Sequence, residues 1–430
     1  MQPDIIFIVA DDLGSADLGC YGGPTDISPN LDRLAREGLL FTRAYANSSV
    51  CSPTRFALIT GRWQYRLRAA AEEPLGGKST VLGLPPAHPT LPSLLRNNGY
   101  STALIGKWHL GHAPRFGPLL SGYDEFFGPM GGGVDYFSHL NFSGVRDLWE
   151  GAQPSQAKGY LTDLISNRAA DFVARERGEK PYFLSVHFTA PHWPWESRED
   201  AEESKRIGSQ ISHLDGGSVA TYRKMIKQMD EGIGAIVNAI QPARRDNTLI
   251  VFTSDNGGER YSNNWPFVGG KMDLLEGGLR VPQIAWWPSR IRANGRSAQP
   301  TVSMDWMATM LEATDTPPHV DYPLDGMSLM SVLNEPSWRR IRQLHWRMKH
   351  RQQAATISDE WKYLRVDGHE YLFDLNADQR ERANLAKRQP ERLRNMRRCW
   401  EEWARSMPGI PEDAAVYLLW DDSDMPRSTH

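Results

Sequence analysis

The chain is poor in cysteine: its 430 residues hold 3, Cys20, Cys51 and Cys399, set far apart. That scarcity excludes a disulfide framework, and the spacings match no thiolate zinc site. Long apolar runs are also missing, since no stretch reaches the roughly 18 to 20 residues of a membrane span. The opening Met1-Gln2-Pro3-Asp4 lacks the basic and apolar regions of a secretion signal. A chain starting at Met1 is therefore expected in the cytoplasm, and in the periplasm or outside the cell if a leader has been removed. Neither sign of charge dominates, because 49 basic and 52 acidic residues leave a formal charge of -3. This balance gives no footprint for nucleic acid or an anionic membrane, so any anion site has to be local.

What is present is enough chain for one large domain, expected over residues 1–340, and a smaller one over 345–430. Residues 5–10 are continuously apolar and β-branched, as in a strand buried on both faces of a parallel sheet. Similar short runs recur at 102–105, 182–188, 249–252 and 282–286, with helical patterns between several of them. The alternation predicts an α/β fold, a large, mixed, mostly parallel sheet sandwiched by helices. Ser28, Pro29 and Gly38 punctuate one helix, another runs from Thr90 towards Gly99, and a third spans about 221–240 with Met225, Met229 and Ile233 on its apolar stripe. After His345 the pattern becomes a small antiparallel sheet followed by an arginine-rich helix over about 390–407. The polar stretch 198–217 reads as an exposed excursion or a lid.

Ligands of open α/β sheets bind beyond the carboxyl ends of strands. Asp11-Asp12, His192 and Asp255-Asn256 all fall at such ends. Taken singly, each is better explained as a turn or capping residue. Taken together, three carboxylates and a carboxamide form a hard oxygen set for Ca2+ or Mg2+ and disfavour zinc. Adjacent aspartates aimed at one place repel unless a cation holds them. Cys51 lies just before Pro53, where a helix could begin, and Arg55 adds a charge one turn on. The position favours an anion.

Cys51-Ser52-Pro53-Thr54-Arg55 resembles the C-x-P-x-R core of the formylglycine-dependent sulfatases of the alkaline phosphatase superfamily, with Thr54 where Ser is the more usual residue. Further elements of that family are matched in order: Gly106-Lys107-Trp108-His109-Leu110-Gly111, Ala190-Pro191-His192, Ser254-Asp255-Asn256-Gly257, and Gly270-Lys271 leading to Glu276-Gly277-Gly278. The C-terminal Trp361-Lys362-Tyr363 and Leu372-Phe373-Asp374 also fit. The fragments around Gly122 to Gly128 and Ala285 to Pro288 are most similar to the arylsulfatase A and N-acetylgalactosamine-6-sulfatase branch.

The resemblance implies that a formylglycine-generating enzyme converts Cys51 during maturation and that the hydrated aldehyde attacks the sulfur of an aryl or carbohydrate sulfate ester. It implies a divalent metal, Ca2+ in preference to Mg2+, held by Asp11, Asp12, residue 51, Asp255 and Asn256. Arg55 would assist the nucleophile, and Lys107, His192 and Lys271 would bind the sulfate. His192, rather than Lys271, would protonate the leaving alcohol, and His109 would regenerate the aldehyde. His112, His139 and His187 receive no role, and Trp193, Trp195 and Trp265 are candidates for stacking on a sugar or aryl ring.

Two other readings compete. A two-metal phosphohydrolase on the same scaffold would need more His and Asp ligands where Lys107 and Lys271 stand. An inert sulfate- or sugar-binding protein would be expected to have lost Cys51 or the metal ligands. The identity of the ester and the oligomeric state are left open.

Overall fold

The computed structural model describes residues 2–418. Its main sheet has ten strands, in the order Gly295–Ser297, Leu39–Phe41, Gln283–Trp286, Thr248–Ser254, Asp4–Ala10, Tyr182–His187, Ser101–Gly106, Glu125–Gly128, Trp149–Glu150 and Gln153–Pro154. The central Asp4–Ala10 strand pairs in parallel with Thr248–Ser254 on one side and Tyr182–His187 on the other. Its odd and even residues enter different cores: Ile6, Ile8 and Ala10 pack on one face, Ile5, Phe7 and Val9 on the other. Period-two geometry with both faces covered explains why the run is apolar throughout.

The expected mostly parallel sheet is present, with two strands inverted, Gln283–Trp286 and Trp149–Glu150. Gln283–Trp286 runs antiparallel to Thr248–Ser254. The long helix is Val219–Asn238, two residues earlier at each end than the sequence suggested, because Ser218 caps it by accepting from Thr221 N–H at 3.0 Å. Ser28 occupies its predicted capping position without making the capping bond. Its hydroxyl is engaged by Gly19 N–H (2.9 Å) and by Asp32 (3.1 Å).

The C-terminal sheet is antiparallel, formed by Gln343–Arg347, Ala354–Ser358, Trp361–Val366 and His369–Asp374, and the helix Pro390–Arg405 lies against it. Its inner residues share one core with the larger α/β part: Leu344, Trp346 and Phe373 cluster with Tyr45, Val50, Cys51 and Leu279. Lys362, wholly buried, reaches Glu276 (3.0 Å) and Glu381 (2.8 Å). Among the described residues no helix is long and apolar enough to cross a membrane.

Candidate active site

Four strand ends line up, because Ala10 is in register with Ser254, Val9 with His187, and His187 with Gly106. The residues that follow them are Asp11-Asp12, Asp255-Asn256, Lys107 and the segment leading to His192, so neighbours in space come from four distant parts of the chain. Asp255 N–H donates to Ala10 O (3.2 Å) and Asp12 N–H to Asp255 Oδ1 (3.3 Å). Asp12 turns the chain at φ 62°, a left-handed conformation that aspartate tolerates better than most residues.

Cys51 opens the helix Cys51–Thr60, in which every residue is buried. The helix starts two residues before the Pro53 position suggested by the sequence, and Pro53 falls in its first turn, where a missing N–H is harmless. Burial pushes the Cys51 thiol above its ordinary pKa, and the nearby Lys107 and Lys271 only partly offset this. An unmodified Cys51 is therefore a poor thiolate nucleophile. Arg55, one turn on, bonds Asp255 Oδ2 through Nε (2.9 Å) and an Nη (2.8 Å) and lies 3.7 Å from Asp11. It also donates to Lys107 O and approaches His187 Nδ1, each at 3.3 Å.

Lys107 is paired with Asp11, and Lys271 with Asp12 at 2.7 Å. Burial works against the Lys271 ammonium, but Asp12, Cys51, Glu259 and Asp11 together outweigh it and the pKa stands above the ordinary lysine value. Asp12 shows the reverse: burial would raise it, yet Lys271 and His192 hold it at about 2. Burial, then Asp11, push Asp255 up to about 7 despite Arg55. His192 donates from Nδ1 to Trp193 O (2.6 Å) and turns Nε2 towards Asp12 (3.6 Å). His109 donates from Nε2 to Leu75 O (2.7 Å), leaving Nδ1 buried without a partner. Burial drives both imidazoles well below their ordinary pKa, Lys271 adding to the effect at His192 and Lys107 at His109.

Two buried oxygens, Asp11 Oδ1 and Asn256 Oδ1, have no hydrogen-bond partner. Ligand atoms of Asp11, Cys51 and Asp255 lie within 4.8 Å of one another, as do those of Asp11, Asp12 and His192. Orphaned oxygens converging beside carboxylates fit a hard divalent cation. Asp11, Asp12 and Asp255 are already matched by Arg55, Lys107 and Lys271, so a dication would leave surplus positive charge for an anionic group.

Asp11, Asp12, Cys51, Arg55, Lys107, His109, His192, Asp255, Asn256 and Lys271 lie together here. His187, given no role, joins them through Arg55 from the end of a buried strand in register with Gly106. His139 lies apart, 3.2 Å from Gly159 O, and His112 sits 3.8 Å from Asp147. Of the tryptophans, Trp193 packs on His192 with ring centroids 3.9 Å apart, Trp195 is buried against His213 and Tyr261, and Trp265 is exposed elsewhere. Phe142, which the sequence did not single out, lies edge-on to Trp193 at 5.3 Å and is 53% exposed. The backbone of 132–133 covers the histidines so closely that a Cβ on Gly132 would sit 2.5 Å from His109. The excursion 198–217 is pinned down rather than loose: it carries the helix Ala201–Ile207, and Ser204 Oγ donates to Asp135 (2.8 Å). Two cavities of about 430 and 370 Å3 lie elsewhere, lined by residues such as Gln343 and Cys399 or Tyr21 and Trp265.

This constellation is shared with known proteins. The Sulfatase family model matches residues 3–316, and the chain belongs to that family. It is 35% identical over 355 residues to the N-acetylgalactosamine-6-sulfatase of Homo sapiens, an alignment covering 77% of this chain and 66% of the human one. The chain thus spans slightly less than two thirds of the mammalian relative's length. An N-acetylgalactosamine-6-O-sulfatase of Bacteroides thetaiotaomicron is 27% identical over 489 residues, with 92% of each chain covered. Among solved structures, Ps i-CgsB in complex with k-i-k-neocarrahexaose is similar at a TM-score of 0.83 and 31% identity, covering 95% of this chain and 94% of that one.

Proposed function

We propose that the chain is a sulfuric ester hydrolase that releases sulfate from a sulfated carbohydrate or aryl sulfate, using residue 51 as formylglycine. The observation that carries this reading is the convergence of Cys51, Arg55, three carboxylates and two lysines in one buried site. Asp11, Asp12, Asp255, Asn256 and residue 51 would hold the cation, and Ca2+ suits this irregular set of protein oxygens better than Mg2+, which keeps several waters in strict octahedral geometry. The formylglycine and the cation together supply a hydrated aldehyde of lowered pKa as nucleophile. Because Cys51 is only 2% exposed, a formylglycine-generating enzyme would act on it before the chain folds.

The remaining roles belong to side chains. Asp255, ion-paired with Arg55 beside residue 51, would accept a proton there. Lys107 and Lys271 are fixed charges that hold sulfate oxygens and stabilise the negative charge that develops on them. Lys271 is too weak an acid to donate efficiently. His192 is the better donor to the leaving alcohol, because an incoming sulfate group places negative charge beside it and raises its depressed pKa. His109, neutral in its buried position, is the base that ends the cycle. Trp193 and Phe142 continue outward from His192 as an aromatic wall, which suits a leaving group with a flat apolar face. A sulfate-release assay on 4-nitrophenyl sulfate and a panel of sulfated sugars tests the reading. Release by the wild type and none by Cys51→Ala is expected; no release from any ester would overturn it and favour the binding-protein or phosphohydrolase readings.

A further inference from the structure

From the way the C-terminal sheet grips the active-site loops, we infer that Gln353 is a positioning residue for Lys271. The inference rests on the proposal that Lys271 binds the sulfate group. Gln353 is buried in the turn between the first two strands of the C-terminal sheet, immediately before Ala354–Ser358. Its carboxamide uses both ends on the loop that carries Lys271: Oε1 accepts from Leu274 N–H and Nε2 donates to Met272 O, each at 2.8 Å, while Nε2 also donates to His350 O in its own turn at 3.2 Å. Met272, the residue after Lys271, stands at φ 74°, a left-handed conformation that a long side chain adopts only under outside constraint. The same residue's N–H donates to Ser49 O at 2.8 Å, which joins this loop to the segment entering Cys51.

The turn that presents Gln353 is held in turn. Arg351 and Gln352, at φ 53° and 46°, are consecutive left-handed residues without glycine. Glu73 accepts from Lys349 N–H (2.7 Å) and His350 N–H (2.9 Å), one on each carboxylate oxygen. Met348 lies 3.0 Å from the Ser49 hydroxyl. Two residues beyond Glu73, Leu75 N–H donates to Ser52 Oγ (2.7 Å) and Leu75 O accepts from His109. The strained turn thus sits where the loops of Lys271, residue 51 and His109 meet, and its one buried amide is spent on the Lys271 loop. Backbone strain that persists because its surroundings fix it is characteristic of sites where geometry has to be exact to a fraction of an ångström.

A double-mutant cycle tests the inference. Gln353→Leu removes both bonds to the Lys271 loop, and the one to His350 O, at nearly constant volume, whereas Gln353→Glu keeps the acceptor for Leu274. With a sulfate ester, Gln353→Leu is expected to raise KM about tenfold with a smaller change in kcat, and to weaken inhibition by inorganic sulfate to the same degree. Gln353→Glu should show the smaller loss. In a Lys271→Met background, Gln353→Leu should add little, since it acts through Lys271. Full additivity, or a fall in kcat with KM and sulfate inhibition unchanged, would overturn the inference. If the wild type hydrolyses no ester, the proposed function fails on its own. The same cycle read by calorimetric binding of inorganic sulfate then decides on Gln353: non-additive losses uphold its role, and additive or absent losses reject it.

Discussion

At the level of single residues, the site is a charge balance closed by geometry. Removing the proton donor should matter in proportion to the basicity of the leaving group. His192→Gln is therefore expected to lower kcat on a sugar sulfate by roughly 100- to 10,000-fold and on 4-nitrophenyl sulfate far less, because nitrophenolate leaves without help. Steady-state rates on the two esters check this, and equal losses would move the donor role elsewhere. Most of these residues were legible in the sequence because short motifs place Asp11-Asp12, Lys107, His109, His192 and Asp255-Asn256 directly after strands. His187 and Phe142 were not, for a physical reason. One acts through Arg55 from inside a strand, the other through Trp193 from a loop tip, and neither contact leaves a local pattern in the chain.

Among the elements, the segment from 131 to 217 builds the wall around the histidines, and a buried acid pair holds it. Glu196 accepts from Tyr136 N–H (3.2 Å), and Tyr136 Oη donates to His192 O (2.9 Å). Asp135 accepts from Ser138 and Ser204, while Glu196 Oε1 and Asp135 Oδ2 lack other partners. Burial, then the Asp135 charge, raise Glu196 from its ordinary 4.5 to about 10. A free glutamate loses its proton near 4.5, so between there and about 10 the folded state binds one proton more than the unfolded state, and stability falls as pH rises through that window. Glu196→Gln should flatten this dependence: its melting temperature should match the wild type near pH 5 and exceed it near pH 9. A variant as alkali-sensitive as the wild type would contradict the shared-proton arrangement. The sequence left 198–217 as an excursion or lid because its polarity reflects surface charges such as Arg206 and Asp215, whereas the anchors that fix it, Ser204, Ile207 and His213, are isolated buried positions. Strand order was equally hidden: the inversion at Gln283–Trp286 changes direction without changing the apolar pattern.

For the whole molecule, the mostly parallel sheet and the C-terminal antiparallel sheet could be anticipated from periodicity. Their shared core could not, because it depends on single residues meeting distant partners, such as Trp346 with Ala46, 300 positions away, and Lys362 with Glu276, 86 positions away. A cation held by the carboxylates at the centre would make folding and cation binding one equilibrium. A cation at about 100 times its Kd contributes about 2.7 kcal/mol, so for a chain of 430 residues chelation should lower the melting temperature by roughly 3 °C and Ca2+ should restore it. A melting curve indifferent to chelator and Ca2+ would argue against a cation at Asp11, Asp12 and Asp255. The account depends most on residue 51 itself, and mass spectrometry of the protein from its native host, followed by mapping of the peptide that contains Cys51, addresses it directly. Conversion to formylglycine, a loss of about 18 Da confined to that peptide and absent in Cys51→Ala, is the predicted result. An intact thiol in every molecule of an active preparation would contradict the account.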